Sequence, residues 1–167
     1  MTIAASLLPE FDHEMATTRK VLAAVPAADP EWRPHPKSTA LGELASHLAT
    51  ITLWGKMTLE RTELDLGIPD NAKLARTPYT TTAELLERFD AYVRDTRAAL
   101  AAASDADMGV TWTLKNGGKT IFSMPRAAVL RSFVLNHLVH HRAQLAVYLR
   151  LNNIPVPAMY GPSADES

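Results

Sequence analysis

Cysteine is absent from all 167 residues. Disulfides, thiolate metal ligands and an internal sulfur nucleophile are thereby excluded, imidazole and carboxylate remain as ligand types, and any thiol chemistry needs a thiol from outside. A dominant charge of one sign is missing too: the formal net charge is -1, the basic residues are scattered, and no lysine or arginine stripe offers the footprint a phosphate backbone requires. Nucleic acid is not an expected partner. No window approaches the roughly 20 apolar residues of a membrane span, and the opening MTIAASLLPEFDHE shows no basic leader followed by an apolar stretch, so a cytoplasmic protein without membrane contact is expected. A glycine-rich phosphate loop, a G-x-S-x-G elbow and an H-E-x-x-H zinc motif are all lacking, which leaves phosphoryl transfer and serine or zincin hydrolysis without positive support. There is no internal repeat and no low-complexity tract.

What is present is an apolar share of 47%, ample for one continuous core, and a length suited to a single domain over residues 1–167. Leu8, Phe11, Met15, Thr18, Leu22 and Val25 recur in steps of three and four, the mark of a first helix that ends before Pro26. The proline-rich stretch PAADPEWRPHPKST reads as an extended connector anchored by Trp32. Ser38 or Thr39 can cap a second helix that runs to about Leu64, with Leu44, His47, Ile51, Trp54 and Thr58 on one face. A loop through GIPDNAKLARTPYT follows. Thr81 and Glu84 then have capping-box spacing, and Leu86, Phe89, Val93, Thr96 and Leu100 continue a third helix.

Between Met108 and Ser123 the period shifts: VTWTL and KTIFS alternate β-formers around Asn116-Gly117, which predicts a small β-hairpin. Pro125 fits the first turn of a last helix, along which Leu130, Phe133, Val134, His137, His141, Gln144 and Tyr148 share an inward sector. The segment 152–167 holds three prolines, cannot be helical and reads as an irregular, mobile tail. The expected fold is all-α, a four-helix bundle with a small β-hairpin between the third and fourth helices.

His137 and His141 stand four residues apart, so a helix places both imidazoles on one face, and a facing helix can bring His47 to them. Three neutral imidazoles make a divalent metal site with coordination positions left for water or substrate. The plainer reading is that each ring hydrogen-bonds a backbone carbonyl or a threonine such as Thr50 or Thr58. The spaced trio favours the metal, because an ion accepts a lone pair from each ring where protonated rings would repel. Around the trio, Glu43 can accept the ring N–H of His47, fill a fourth coordination position, or merely favour the helix amino end. His140 is a candidate second-layer or interface group. Gln144 can orient water or substrate, or pair with a neighbouring helix. Glu43, His140 and Gln144 are thus the candidates for acting on a substrate, and no catalytic residue is assigned. Arg142 points away from the histidine face and suits an intrahelical or intersubunit ion pair. Trp54, Tyr148 and Trp112 are candidates for lining a pocket or for plain core; His13 and His35 are not convincing ligands.

The segments ASHLA around His47, NHLVHHRAQL over 136–145 and YLRLNNIPVPAMYGPSADE at the end resemble the DinB-like (DinB/YfiT) metalloproteins, related to thiol-dependent S-transferases and mycothiol-dependent maleylpyruvate isomerases. The resemblance is compatible with nearly the whole chain, and its His-x-x-His-His-Arg run with a distant upstream histidine is its most specific part. Ala143 departs from it, since members often carry glycine there. The resemblance implies a four-helix bundle, often dimeric, with nickel or zinc on His47, His137 and His141. It also implies an enzyme that activates water or a low-molecular-weight thiol, as cosubstrate, for transfer to a small electrophile or for hydrolysis. The rival expectation is a non-catalytic metal-binding stress-response protein. The expected partners are a small-molecule substrate and a second copy of the chain.

Overall fold

The computed structural model describes residues 1–75 and 77–166. Helix α1 spans Ile3–Ala23, opened by the Thr2 side chain accepting the Ala5 N–H and closed ahead of Pro26. Helix α2 spans Leu41–Glu60. Its boundary residue is Ala40 rather than Ser38 or Thr39, and the capping is done from inside the helix: Glu43 Oε2 accepts the Ala40 N–H at 3.3 Å. It also stops short of Leu64, because Glu63–Asp65 leaves the helix to form strand β1.

The stretch expected as a loop contains a short helix α3, Pro69–Ala75; Arg76, in the same stretch, lies outside the described residues. Helix α4, Thr82–Ala102, starts at Thr81, whose hydroxyl accepts the Glu84 N–H at 3.2 Å. The return half of the box is absent, since the Glu84 carboxylate takes the Thr80 hydroxyl instead. Its buried stripe is Leu85, Phe89, Thr96 and Leu100, with Leu86 and Val93 only partly buried. A second short helix, α5, Asp105–Gly109, is held by reciprocal bonds between Ser104 and Asp107.

Strands β2, Thr111–Asn116, and β3, Lys119–Pro125, pair antiparallel, and β1 joins β2 in parallel with Leu64 opposite Leu114. The sheet therefore has three strands rather than two. Its turn is Gly117-Gly118 rather than Asn116-Gly117: φ is 59° and 78° at the two glycines, the left-handed values a two-residue hairpin turn demands. Asp65 at the end of β1 accepts the N–H groups of Gly117, Gly118 and Gly67. These bonds hold its carboxyl below the usual range, with the Gly67 bond the largest cause.

Pro125 closes β3, and the last helix begins behind it as α6, Arg126–Val129. The chain then runs through a π-helical stretch, Leu130–Asn136, into α7, His137–Leu151, with helical dihedrals at both junctions. Helix α2 packs against α4 and α7, and α1 packs against α4 and α7, around a core that includes Leu22, Leu48, Ile51, Phe89, Leu138 and Leu145.

The core-facing positions of α7 are Leu138, Arg142, Leu145 and Leu149, which corrects the inward sector read from the sequence. Arg142 is 1% exposed. Its partners are not on its own helix: it reaches α1, where it meets the Glu14 carboxylate at 2.6 Å and the Thr18 hydroxyl at 3.1 Å. The tail beyond α7 is irregular, yet tied down: Tyr160 hydrogen-bonds Glu14 and Arg142, and Asp165 pairs with Arg150 and accepts the Val156 N–H. Ser167 lies outside the described residues. No helix among the described residues is long and apolar enough to cross a membrane.

Candidate metal centre

Helix α2 carries His47, and the junction between the π-helical stretch and α7 carries His137, with His141 one turn further on. The packing of α2 on α7 brings the three rings together at the edge of the core, half-buried rather than central. His137 Nε2 lies 3.4 Å from His47 Nε2 and 2.8 Å from His141 Nε2, and one ligand atom from each ring falls within 4.8 Å of the others. An ion about 2.1 Å from each nitrogen requires nitrogen pairs roughly 3.0–3.4 Å apart, depending on coordination geometry. The His47–His137 spacing falls in that range and the His137–His141 spacing just below it, so the trio could hold a metal ion.

The ring hydrogens point the same way. His141 Nδ1 lies 2.8 Å from Gln144 Oε1, an arrangement that places the proton on Nδ1 and the lone pair on Nε2. His137 Nδ1 is buried with no partner at full hydrogen-bonding geometry, although the Phe133 carbonyl lies near enough to favour a proton on that ring. A proton on His137 Nδ1 answers the burial and aims a second Nε2 lone pair at the first. Lone pairs facing one another at such distances need a shared proton or a cation between them.

Burial first, and then the neighbouring rings, push His47 and His137 down to about 4. His141 is lowered as well, by burial, against an opposing contribution from Gln144. All three rings are therefore neutral near pH 7, the state in which imidazole ligates. The threonine alternative fails for the two residues named: Thr50 donates to Ser46 O and Thr58 to Trp54 O, each within its own helix.

A cavity of about 620 Å³ opens beside the cluster, and His47 and His141 form part of its wall. Its other walls come from the connectors and the start of α2: Pro30, Glu31, Glu43, Pro78 and Tyr79 among them. Trp54, Tyr148 and Trp112, read from the sequence as pocket lining or plain core, are not on its wall. Trp112 is wholly buried. Trp54 stacks on Phe133 at 5.0 Å, meets His47 edge-to-face and lies tilted against His137, and Tyr148 packs on Trp32 and donates to Thr39 O.

Of the three substrate-acting candidates, Glu43 reaches the cavity, Gln144 bonds His141, and exposed His140 stands beside His141 with ring centroids 4.9 Å apart. His13 and His35 lie outside the cluster. Tyr79 was not legible as a wall residue, because a lone aromatic in a loop has no period to betray which side it faces.

A family profile described as the DinB superfamily matches residues 10–145, a span that includes all three histidines. Among solved structures, a DinB-like protein from Bacillus cereus is similar with a TM-score of 0.69 and 21% identity, covering 92% of this chain and 95% of that one. A DinB-like protein from Bacillus subtilis gives 0.68 and 16%, covering 92% and 96%. A candidate member of the DinB family from Exiguobacterium sibiricum gives 0.69 and 21%, covering 95% and 97%. At such identities the likeness speaks for the fold alone. No curated protein matches the sequence.

Proposed function

The chain belongs to the DinB superfamily, and from that premise we propose that it is a divalent-metal-dependent enzyme, a four-helix bundle of the DinB type, that activates water or a low-molecular-weight thiol for transfer to a small electrophile or for hydrolysis. The observation that carries the reading is the convergence of three Nε2 atoms beside a cavity large enough for a small molecule, with His47 and His141 on its wall. His47, His137 and His141 would hold the ion, with nickel or zinc as the metals that suit an all-imidazole set. When bound, such an ion supplies Lewis acidity and lowers the pKa of a coordinated water or thiol toward neutrality.

The chain's own part is positional. Gln144 fixes the tautomer of His141, the Trp54 and Phe133 rings pack on His137, and the burial of the trio keeps its rings unprotonated at neutral pH. A site that only stabilised the fold would not need the cavity, and this favours the enzyme over a non-catalytic metal-binding stress-response protein. The reading includes a homodimer, supported by the exposed apolar side chains of Val147 and Leu151 on α7, and sedimentation would test that part.

The test of function is turnover. Protein loaded with nickel or zinc is incubated with a bacillithiol- or mycothiol-type thiol and a chlorinated aromatic or epoxide. Metal-dependent product formation that disappears in His137→Ala is expected. Full metal occupancy with no product from any thiol or from water would favour the non-catalytic reading.

A further inference from the structure

We propose that the cavity beside the three histidines selects ligands carrying an ammonium group on an apolar body, and that Glu43 reads the charge; as a statement about substrate class, this rests on the histidines being the reactive end of that cavity. Among the described residues, the acidic or basic side chains on the cavity wall, apart from the two imidazoles, are the carboxylates Glu31 and Glu43. They are not equivalent. Glu31 sits 3.4 Å from Arg33, an exposed pair that offsets part of its charge. Glu43 has no ion-pair partner among the described residues and spends one oxygen on the Ala40 N–H. A carboxylate offers about four lone-pair positions, so most of its accepting capacity is left for a donor in the cavity.

Placement supplies the second half of the argument. Glu43 lies four residues before His47 on α2, on the same helix face and about one turn of 5.4 Å away. A ligand that meets the imidazole end with one group therefore meets Glu43 with another a few bonds along. The apolar part of the wall is Pro30, Leu44, Pro78 and the ring of Tyr79, whose hydroxyl is turned to Pro26 O and Thr82, while Thr39 and Thr77 also face the cavity without carrying charge. An aminothiol or arylalkylamine has this pattern of groups; a dicarboxylate does not.

The test uses a matched pair of probes on the metal-free protein, phenethylamine and 3-phenylpropanoate, titrated by NMR at neutral pH. The amine is expected to bind about tenfold more tightly, the product of an attraction and a repulsion each worth roughly threefold at a solvent-facing carboxylate. Glu43→Gln, which keeps an acceptor for the Ala40 N–H, should bring the ratio to within about twofold. Equal affinities in the wild type, a preference for the carboxylate, no binding of either probe, or an unchanged ratio in Glu43→Gln would each overturn the proposal. Zinc-loaded protein separates this from the functional reading. Cysteamine should outcompete the neutral 2-mercaptoethanol, and equal binding of the two refutes the ammonium preference while leaving metal-dependent thiol binding intact. Failure to take up zinc at all refutes the functional reading without touching the amine-to-carboxylate ratio.

Discussion

Replacing His137 with alanine removes the nitrogen that faces both other rings, at 3.4 Å from His47 and 2.8 Å from His141. Four-ligand structural zinc sites are worth about 10–16 kcal/mol, so one donor carries about 3–4 kcal/mol and its loss should lower metal affinity about 10²- to 10³-fold. The fold should feel the change far less. The ring packs on Phe133 and Trp54 with centroids 5.6 Å away in each case and is only half-buried. Truncation should therefore fall well below the roughly 3–5 kcal/mol of a fully buried aromatic, at about 1–2 kcal/mol. Removing a buried nitrogen without a well-formed partner returns about 1 kcal/mol. The metal-free variant is thus expected to match metal-free wild type to within about 1 kcal/mol in a urea titration, while elemental analysis shows most of the metal gone and calorimetric titration shows the weakened site. Wild-type stoichiometry and affinity in the variant would refute the ligand assignment. A collapse of the metal-free fold would show instead that His137 is a packing residue.

The lowered values of His47 and His137, about 4 against an ordinary 6.5, mean that the folded chain binds fewer protons than the unfolded chain across that interval. Metal-free stability should accordingly decline as pH falls from 6.5 toward 4, and metal content should hold from about pH 7 to about pH 5 before dropping; half-loss near pH 6.5 would contradict the burial argument. Arg142→Met strands the Glu14 carboxylate in the core and should cost about 3–5 kcal/mol by chemical denaturation, partly recovered by adding Glu14→Gln; a loss below about 1 kcal/mol would mean the pair is solvated. Gly42→Ala places a Cβ 2.9 Å from Pro30 Cβ and 3.1 Å from Tyr79 Cβ. It should destabilise by about 1–3 kcal/mol and weaken phenethylamine binding as both cavity walls shift, and wild-type values for both would show that the rim yields freely.

The long helices were readable because their buried stripes repeat locally: Phe11, Met15, Thr18 and Leu22 on α1, and Phe89, Thr96 and Leu100 on α4, are buried as their spacing says. The hairpin was readable from alternation. Strand β1 was not, since Glu63–Asp65 is three residues long and exists by pairing with a segment some fifty residues away. The π-helical stretch before His137 has no local signature either. It changes the phase of the last helix, one reason the true inward face runs through Leu138, Arg142 and Leu145 rather than through the histidines.

At the site, the His137 and His141 pair is written in a four-residue step, and His47 entered through the apolar pattern of its own helix. The cavity was invisible, because its walls come from connectors whose approach to α2 depends on tertiary packing around Gly42. Burial of Arg142 was missed for a related reason. Its partner Glu14 lies on α1, 128 residues away in sequence, and only the fold makes an interior guanidinium affordable.

The most direct test of the central claim is X-ray absorption on protein loaded with one equivalent of zinc. Three imidazole nitrogens at about 2.0–2.1 Å with a light oxygen shell, the oxygen giving way to a sulfur at about 2.3 Å when a thiol is added, is the predicted result. A shell with fewer than three imidazoles, or one closed to the thiol, would contradict the account.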